Sequence, residues 1–177
     1  MTSHVTLERL ITFLLETPMF ENLEPTEIKQ LTDIIEVKEF AAGQTLFNEG
    51  DPGDAWYALY RGKVDVIKNV GDGQKEIYPL ATGACFGEIA ILDGQPRSAT
   101  IQAIEDCIVL RISRNDFQDL LDEEHIVAFK LLRNLAITLA QRARSTTERL
   151  SELVLEAEEG QVPPGVTQLV GDAYLRD

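Results

Sequence analysis

Histidine and cysteine are nearly missing from this 177-residue chain, which has two of each. Cys85 and Cys107 cannot build the disulfide framework of a small secreted domain, and such sparse use fits a reducing cytoplasm. The histidines are His4, in the N-terminal leader, and His125, at the start of a long helical pattern. Neither falls on a strand and no metal-ligand spacing accompanies them. That argues against a metal enzyme built on a β-barrel and against a strand-borne nucleophilic triad. No apolar run approaches the roughly 18 residues of a membrane span. The start, Met1-Thr2-Ser3-His4, lacks the basic region and cleavage site of a secretory signal. Cations are scarce as well: 16 Lys+Arg stand against 30 Asp+Glu, a net charge of −14. A surface this acidic repels nucleic acid and anionic membranes unless one patch is locally basic. The nearest such patch, Lys130, Arg133, Arg142, Arg144 and Arg149, reads as a solvated helix face. The expectation is a cytoplasmic, non-enzymatic protein with no cofactor, no nucleic-acid partner and no membrane insertion.

What is present divides the chain into stretches. Residues 1–36 read as a helical lead-in. Val5, Leu7, Leu10, Ile11, Leu14 and Leu15 recur at helical spacing, Phe20 and Leu23 form a knuckle, and Pro25 suits a first helical turn. From 37 to 122 the pattern turns to short β-type runs punctuated by glycine, at Gly43, Gly50, Gly53, Gly62, Gly71, Gly73 and Gly83. The runs are 45–47, 56–60, 64–67, 76–80, 98–104 and 108–112. Turns at roughly ten-residue intervals predict an antiparallel sandwich or rolled barrel. Trp56, Ala58 and Tyr60 alternate onto one face, most simply a core face. Ser113 is a candidate N-cap for a short helix. Stretch 123–159 reads as C-terminal helix, the long one starting near Glu124. Its Leu132, Leu135, Leu139, Ala143, Thr146, Leu150 and Leu153 form a seam suited to a second copy. A loose tail is expected over 160–177.

The most informative segment is Cys85-Phe86-Gly87-Glu88-Ile89-Ala90-Ile91-Leu92-Asp93-Gly94-Gln95-Pro96-Arg97-Ser98-Ala99-Thr100. Glu88 and Arg97 stand nine residues apart around a short apolar turn that reads as helix from Gly87 to Leu92. Arginine offers a rigid charged fork to phosphate, and glutamate accepts hydrogen bonds from sugar hydroxyls. A phosphorylated sugar would use that pairing, although a structural ion pair between the two is the plainer alternative. Cys85 reads as a small buried cysteine, and Asp51, Asp54 and Asp93 as solvated turn formers.

These residues resemble the cyclic nucleotide-binding domain family over about residues 18–155. The likeness rests on Phe20 and Leu23, the spaced glycines, Leu80-x-x-Gly83-x-x-Phe86-Gly87-Glu88, and Pro96-Arg97-Ser98-Ala99-Thr100. It implies a mainly β fold with flanking α: an antiparallel β-roll, jelly-roll-like and barrel-shaped, with N-terminal helices and a long C-terminal helix. The phosphate-binding cassette would occupy 83–100. Glu88 would then accept from the ribose 2′-hydroxyl, while the backbone N–H groups of Gly87, Glu88, Ile89 and Ala90 meet the cyclic phosphate. Arg97 would pair with a phosphate oxygen and Ser98 add a donor beside it. Phe86 and Ala99 complete the ligand-binding set.

The helix resembles the dimer helix of bacterial cAMP-receptor transcription factors. By that likeness Thr146 and Thr147 would meet the adenine amine, one hydroxyl from each subunit. The alternative is that both hydroxyls bond to the preceding helical turn. The implied ligand is cAMP, with serine at position 98 leaning that way and cGMP left open. After the helix, 160–177 is too short for a winged helix-turn-helix. The expectation is a homodimeric sensor that moves its C-terminal helices, with Ile91 and Leu92 repacking, to signal to a separate partner. A ligand-independent docking module with a vestigial pocket is the other reading.

Overall fold

The computed structural model describes residues 5–71 and 73–158; the leader histidine and the expected tail over 160–177 lie outside them. The chain opens with α1 (Leu7–Glu16), a 3₁₀ turn (Pro18–Phe20) and α2 (Pro25–Ile34). Thr6 caps α1 by accepting from the Arg9 N–H, and Pro25 begins α2 at the position where its missing N–H costs nothing. The Glu27 carboxylate accepts from the Glu24 N–H at 2.6 Å, which satisfies another orphan donor of the same helix end.

Among the described residues eight strands follow: β1 (Glu36–Phe40), β2 (Thr45–Phe47), β3 (Ala55–Arg61), β4 (Lys63–Val70), β5 (Gly73–Ala81), β6 (Cys85–Phe86), β7 (Thr100–Ala103) and β8 (Cys107–Ser113). They form two antiparallel four-stranded sheets, ordered β1-β8-β3-β6 and β2-β7-β4-β5. The two sheets pack as a roll and are not hydrogen-bonded into one closed barrel, which corrects the barrel part of the expected fold. The run expected at 98–104 shortens to β7, and just before it the backbone of Arg97 is taken up by Gly50 and Asp51 of the loop before β3. Between β6 and β7 lies α3 (Ile89–Asp93), which starts at Ile89 rather than at Gly87.

The first sheet separates two cores. Trp56 and Ala58 of β3 and Leu110 and Ile112 of β8 face Leu14 of α1, Phe20 and Leu31. Tyr57 and Leu59, with Val109, face Val64 and Ile101 of the second sheet. Both faces of β3 are therefore buried, and this is why it reads as a continuous apolar run. The alternation of Trp56, Ala58 and Tyr60 described only one of its faces. β1 was not singled out as a strand because its sequence, EVKEF, is charged and mostly exposed. It is an edge strand whose charges discourage further pairing.

Ser113 caps α4 (Arg114–Asp122) by accepting from the Asp116 N–H. The long helix α5 (Ile126–Glu158) begins two residues later than expected, because Glu124 sits at φ +56, outside helical space. The chain divides into two compact units at Leu135/Ala136, so the first turns of α5 belong with the β-roll. Leu135 is fully buried in the core there, together with Val127 and Leu131. It therefore leaves the seam assigned to it from spacing.

Candidate functional site

The cassette is built onto the end of the first sheet by two loops that clamp each other. Arg97 is fixed by its backbone: its N–H donates to the Asp51 carbonyl at 2.8 Å, and its carbonyl accepts from the Gly50 N–H at 2.9 Å. Thr100 Oγ1 accepts from the Glu49 N–H, and Lys68 Nζ donates to the Ser98 carbonyl at 2.7 Å while pairing with Glu49. Gly53 lets this loop approach α3. A Cβ there would stand 2.4 Å from that of Ala90, which is itself buried.

The Arg97 side chain is 1% exposed. Nη1 donates to the Gly87 carbonyl at 2.8 Å, and Nη2 pairs with Asp54 Oδ1 at 2.9 Å. Nε is buried with no hydrogen-bond partner. Gly87 adopts φ +78, and a Cβ there would lie 2.7 Å from Arg97 Nη1, so only glycine fits beside the guanidinium. The guanidinium lies 4.2 Å from the Phe47 ring centroid and 5.7 Å from that of Tyr57. Tyr57 in turn stacks on Phe86 at 5.4 Å.

Asp54 is 62% exposed, yet its second oxygen bonds Arg111 at 2.8 Å, and Arg111 reaches Glu36 at 3.1 Å. Strand register places Arg111 directly opposite both Tyr57 and Glu36. Partial burial pushes the Asp54 carboxyl up. The Arg111 hydrogen bond and charge, with the Arg97 charge, outweigh that and hold it below the usual aspartate range. The reading of Asp54 as a solvated turn former is corrected on this point: it is the shared counter-ion of two arginines. Asp51 and Asp93 do act within turns, accepting from the Asn48 and Gln95 N–H groups respectively.

Phe86, Gly87, Glu88, Ala90 and Arg97 come together; Phe86, Glu88, Ala90 and Arg97 are buried, Glu88 to 2% exposure. Ile89 and Ser98 are exposed and Ala99 is half-buried. Thr146 and Thr147 lie on α5 in the second unit and donate to the Arg142 and Ala143 carbonyls, at 2.8 and 3.0 Å. Their oxygens keep acceptor capacity, which is what an amine requires. Sequence reasoning missed Asp54, Arg111, Phe47, Tyr57 and Arg114; Arg114 donates to the Ala90 carbonyl and, through its N–H, to that of Asp54. The glycine- and proline-dense stretch before Asp54 was the one local hint of a shaped loop. An open cleft of about 580 Å³ lies beside Asp54, Arg111 and Arg114, but neither Glu88 nor Arg97 lines it. Among the described residues, no three His, Cys, Asp or Glu side chains gather as a metal site, and no helix is long and apolar enough to cross a membrane.

The two-sheet roll thus carries a buried carboxylate, Glu88, and a buried arginine, Arg97, beside a glycine turn. The cyclic nucleotide-binding domain model matches residues 37–124. The chain is 30% identical over 155 residues to the cyclic AMP receptor protein of Thermus thermophilus, covering 87% of this chain and 70% of that one. It therefore belongs to the cyclic nucleotide-binding domain family. It is also 40% identical over 109 residues to the cAMP-dependent protein kinase regulatory subunit of Aspergillus niger, 62% of this chain but about a quarter (26%) of that protein's length. Among solved structures, a cyclic nucleotide-binding domain from Methylobacillus flagellatus superposes with TM-score 0.72 at 28% identity, covering 80% of each chain.

Proposed function

We propose that this protein is a cAMP sensor. The carrying observation is Arg97: a buried guanidinium, fixed through backbone and side chain, whose Nε–H has no acceptor of its own. A phosphate oxygen supplies that acceptor. The N–H groups of Gly87, Glu88, Ile89 and Ala90 face the same anion, and Glu88 takes the ribose 2′-hydroxyl. Ser98 adds a donor at the rim, Phe86 and Ala99 wall the site, and Thr146 and Thr147, one hydroxyl from each subunit of a dimer, accept from the adenine amine. The relatives named for cAMP support this ligand over cGMP. Binding draws the cassette inward, Ile91 and Leu92 repack, and α5 changes what it offers a partner protein. The protein acts as a homodimer through α5.

Isothermal calorimetry with cAMP and cGMP on the wild type and Arg97→Ala tests the reading. The wild type should bind cAMP more tightly, and Arg97→Ala should lose about ten- to a hundredfold, the worth of one charge-assisted bond of roughly 1.5–3 kcal/mol. Equal affinity of the two proteins for cAMP would overturn it. Absence of binding in the wild type would leave the ligand-independent docking module.

A further inference from the structure

Phe47 is the last residue of β2, on the second sheet, and it belongs to none of the motifs that point to a nucleotide. Its ring nevertheless lies 4.2 Å beneath the Arg97 guanidinium, and it stacks in turn on Tyr57 at 5.7 Å. Tyr57 rests on Phe86, so three rings from two sheets form one aromatic block under the cation. The guanidinium is buried, while the Asp54 carboxylate that pairs with it sits mostly in water. A screened partner gives weak compensation for a desolvated charge. An aromatic face supplies attraction through its quadrupole and is strongest where water is excluded.

We propose that Phe47 is a positioning residue of the phosphate site, holding the Arg97 plane by cation–π contact so that its free N–H edge stays aimed at the ligand. The reason for a ring rather than a second acid is donor economy. A carboxylate at this place would take the Nε–H and repel the incoming phosphate, whereas a π face stabilises the cation and consumes no donor. Gly87 and Asp54 fix the guanidinium within its plane, and Phe47 fixes it across the plane. This inference rests on the reading that Arg97 meets a cyclic phosphate.

The test compares Phe47→Leu, which keeps apolar bulk without a π face, with Phe47→Tyr, which keeps both. Thermal melts confirm that each is folded. cAMP affinity by calorimetry should fall about three- to thirtyfold in Phe47→Leu and stay within about twofold in Phe47→Tyr. In an Arg97→Gln background, the Phe47→Leu change should add no further loss, as followed by NMR titration. A purely packing role would predict equal losses in both backgrounds, and that result overturns the proposal, as does wild-type affinity in Phe47→Leu. The nucleotide-free protein gives an independent readout. The Arg97 side-chain proton resonances should carry a ring-current shift that Phe47→Leu removes and Phe47→Tyr retains. If the wild type binds neither nucleotide, the sensor reading fails. The positioning role then falls with that reading, and the shift reports only whether the Phe47–Arg97 contact forms, so the two failures stay distinguishable.

Discussion

Asp54 accepts from Arg97 on one oxygen and from Arg111 on the other, so one carboxylate bridges a buried guanidinium and a half-buried one that Glu36 also meets. Burial opposes its ionisation, and the two arginines overcome that opposition. A carboxyl whose pKa is depressed by folding stabilises the protein fully above its ordinary value of ~3.9, and that stability is lost as pH falls through the lower folded value. Asp54→Asn should therefore lower the melting temperature at pH 7, by the equivalent of about 1 kcal/mol or less because the pair is screened by water. The gap between variant and wild type should narrow as the pH falls below the ordinary aspartate value; a gap of constant size across the acid range would contradict the ion-pair account. Glu88 and Arg97 stand out in the sequence as a candidate pair because both sit inside one local run, and the fold buries both. Asp54 does not stand out. An aspartate in a glycine-rich turn is solvated by default, and only the fold reveals that its loop folds back onto Arg97. Phe47 was hidden for a similar reason, since cross-sheet contacts leave no mark in local spacing.

At the scale of elements, α5 is tied to the N-terminal helices by polar bonds as well as by apolar packing. Asn134 Nδ2 donates to the Met19 and Glu21 carbonyls, at 3.0 and 3.1 Å. One turn earlier, Lys130 Nζ bonds the Asn22 carbonyl at 2.9 Å and pairs with Glu27 at 2.8 Å. Burial would raise the Glu27 pKa, but the Lys130 hydrogen bond, the backbone bond to Glu24 and the Lys130 charge carry it below the usual glutamate range. One buried carboxylate thus serves both the start of α2 and the link to α5. Glu27→Ala should cost roughly 2–4 kcal/mol by urea denaturation, since it removes a helix-end acceptor and strands a partly buried ammonium. Glu27→Gln should cost less, because its amide oxygen still accepts from Glu24. Losses below about 0.5 kcal/mol in both would mean that packing alone holds α5 here. The helices and six of the eight strands were legible from periodicity and turn residues. The short β6 and the charged edge β1 were not, because neither offers an apolar alternation to read.

At the scale of the molecule, the row of apolar residues on α5 is the feature that the proposed dimer depends on. Leu135, fully buried in the β-roll unit, leaves Leu139, Ala143, Thr146, Leu150 and Leu153 as the continuing row, half-buried or exposed along the helix. A helix bearing an exposed apolar row is marginal on its own in water and gains stability by covering it. Thr146 interrupts the row with a hydroxyl already donating to Arg142, so its oxygen remains as an acceptor within an otherwise apolar strip. A second copy along this row would explain both features, since it covers the leucines and brings a pair of hydroxyls to one place. Sedimentation velocity should then show a wild-type dimer, and Leu139→Glu with Leu150→Glu should give a folded monomer, because paired carboxylates cannot be buried uncompensated. Arg97→Ala should leave the dimer intact. The monomeric variant carries a further consequence for the site. With the cassette untouched but the partner helix gone, cAMP affinity should drop by about two- to twelvefold, the worth of one ordinary hydrogen bond. Unchanged affinity in a proven monomer would remove Thr146 and Thr147 from the ligand and leave the cassette to bind alone.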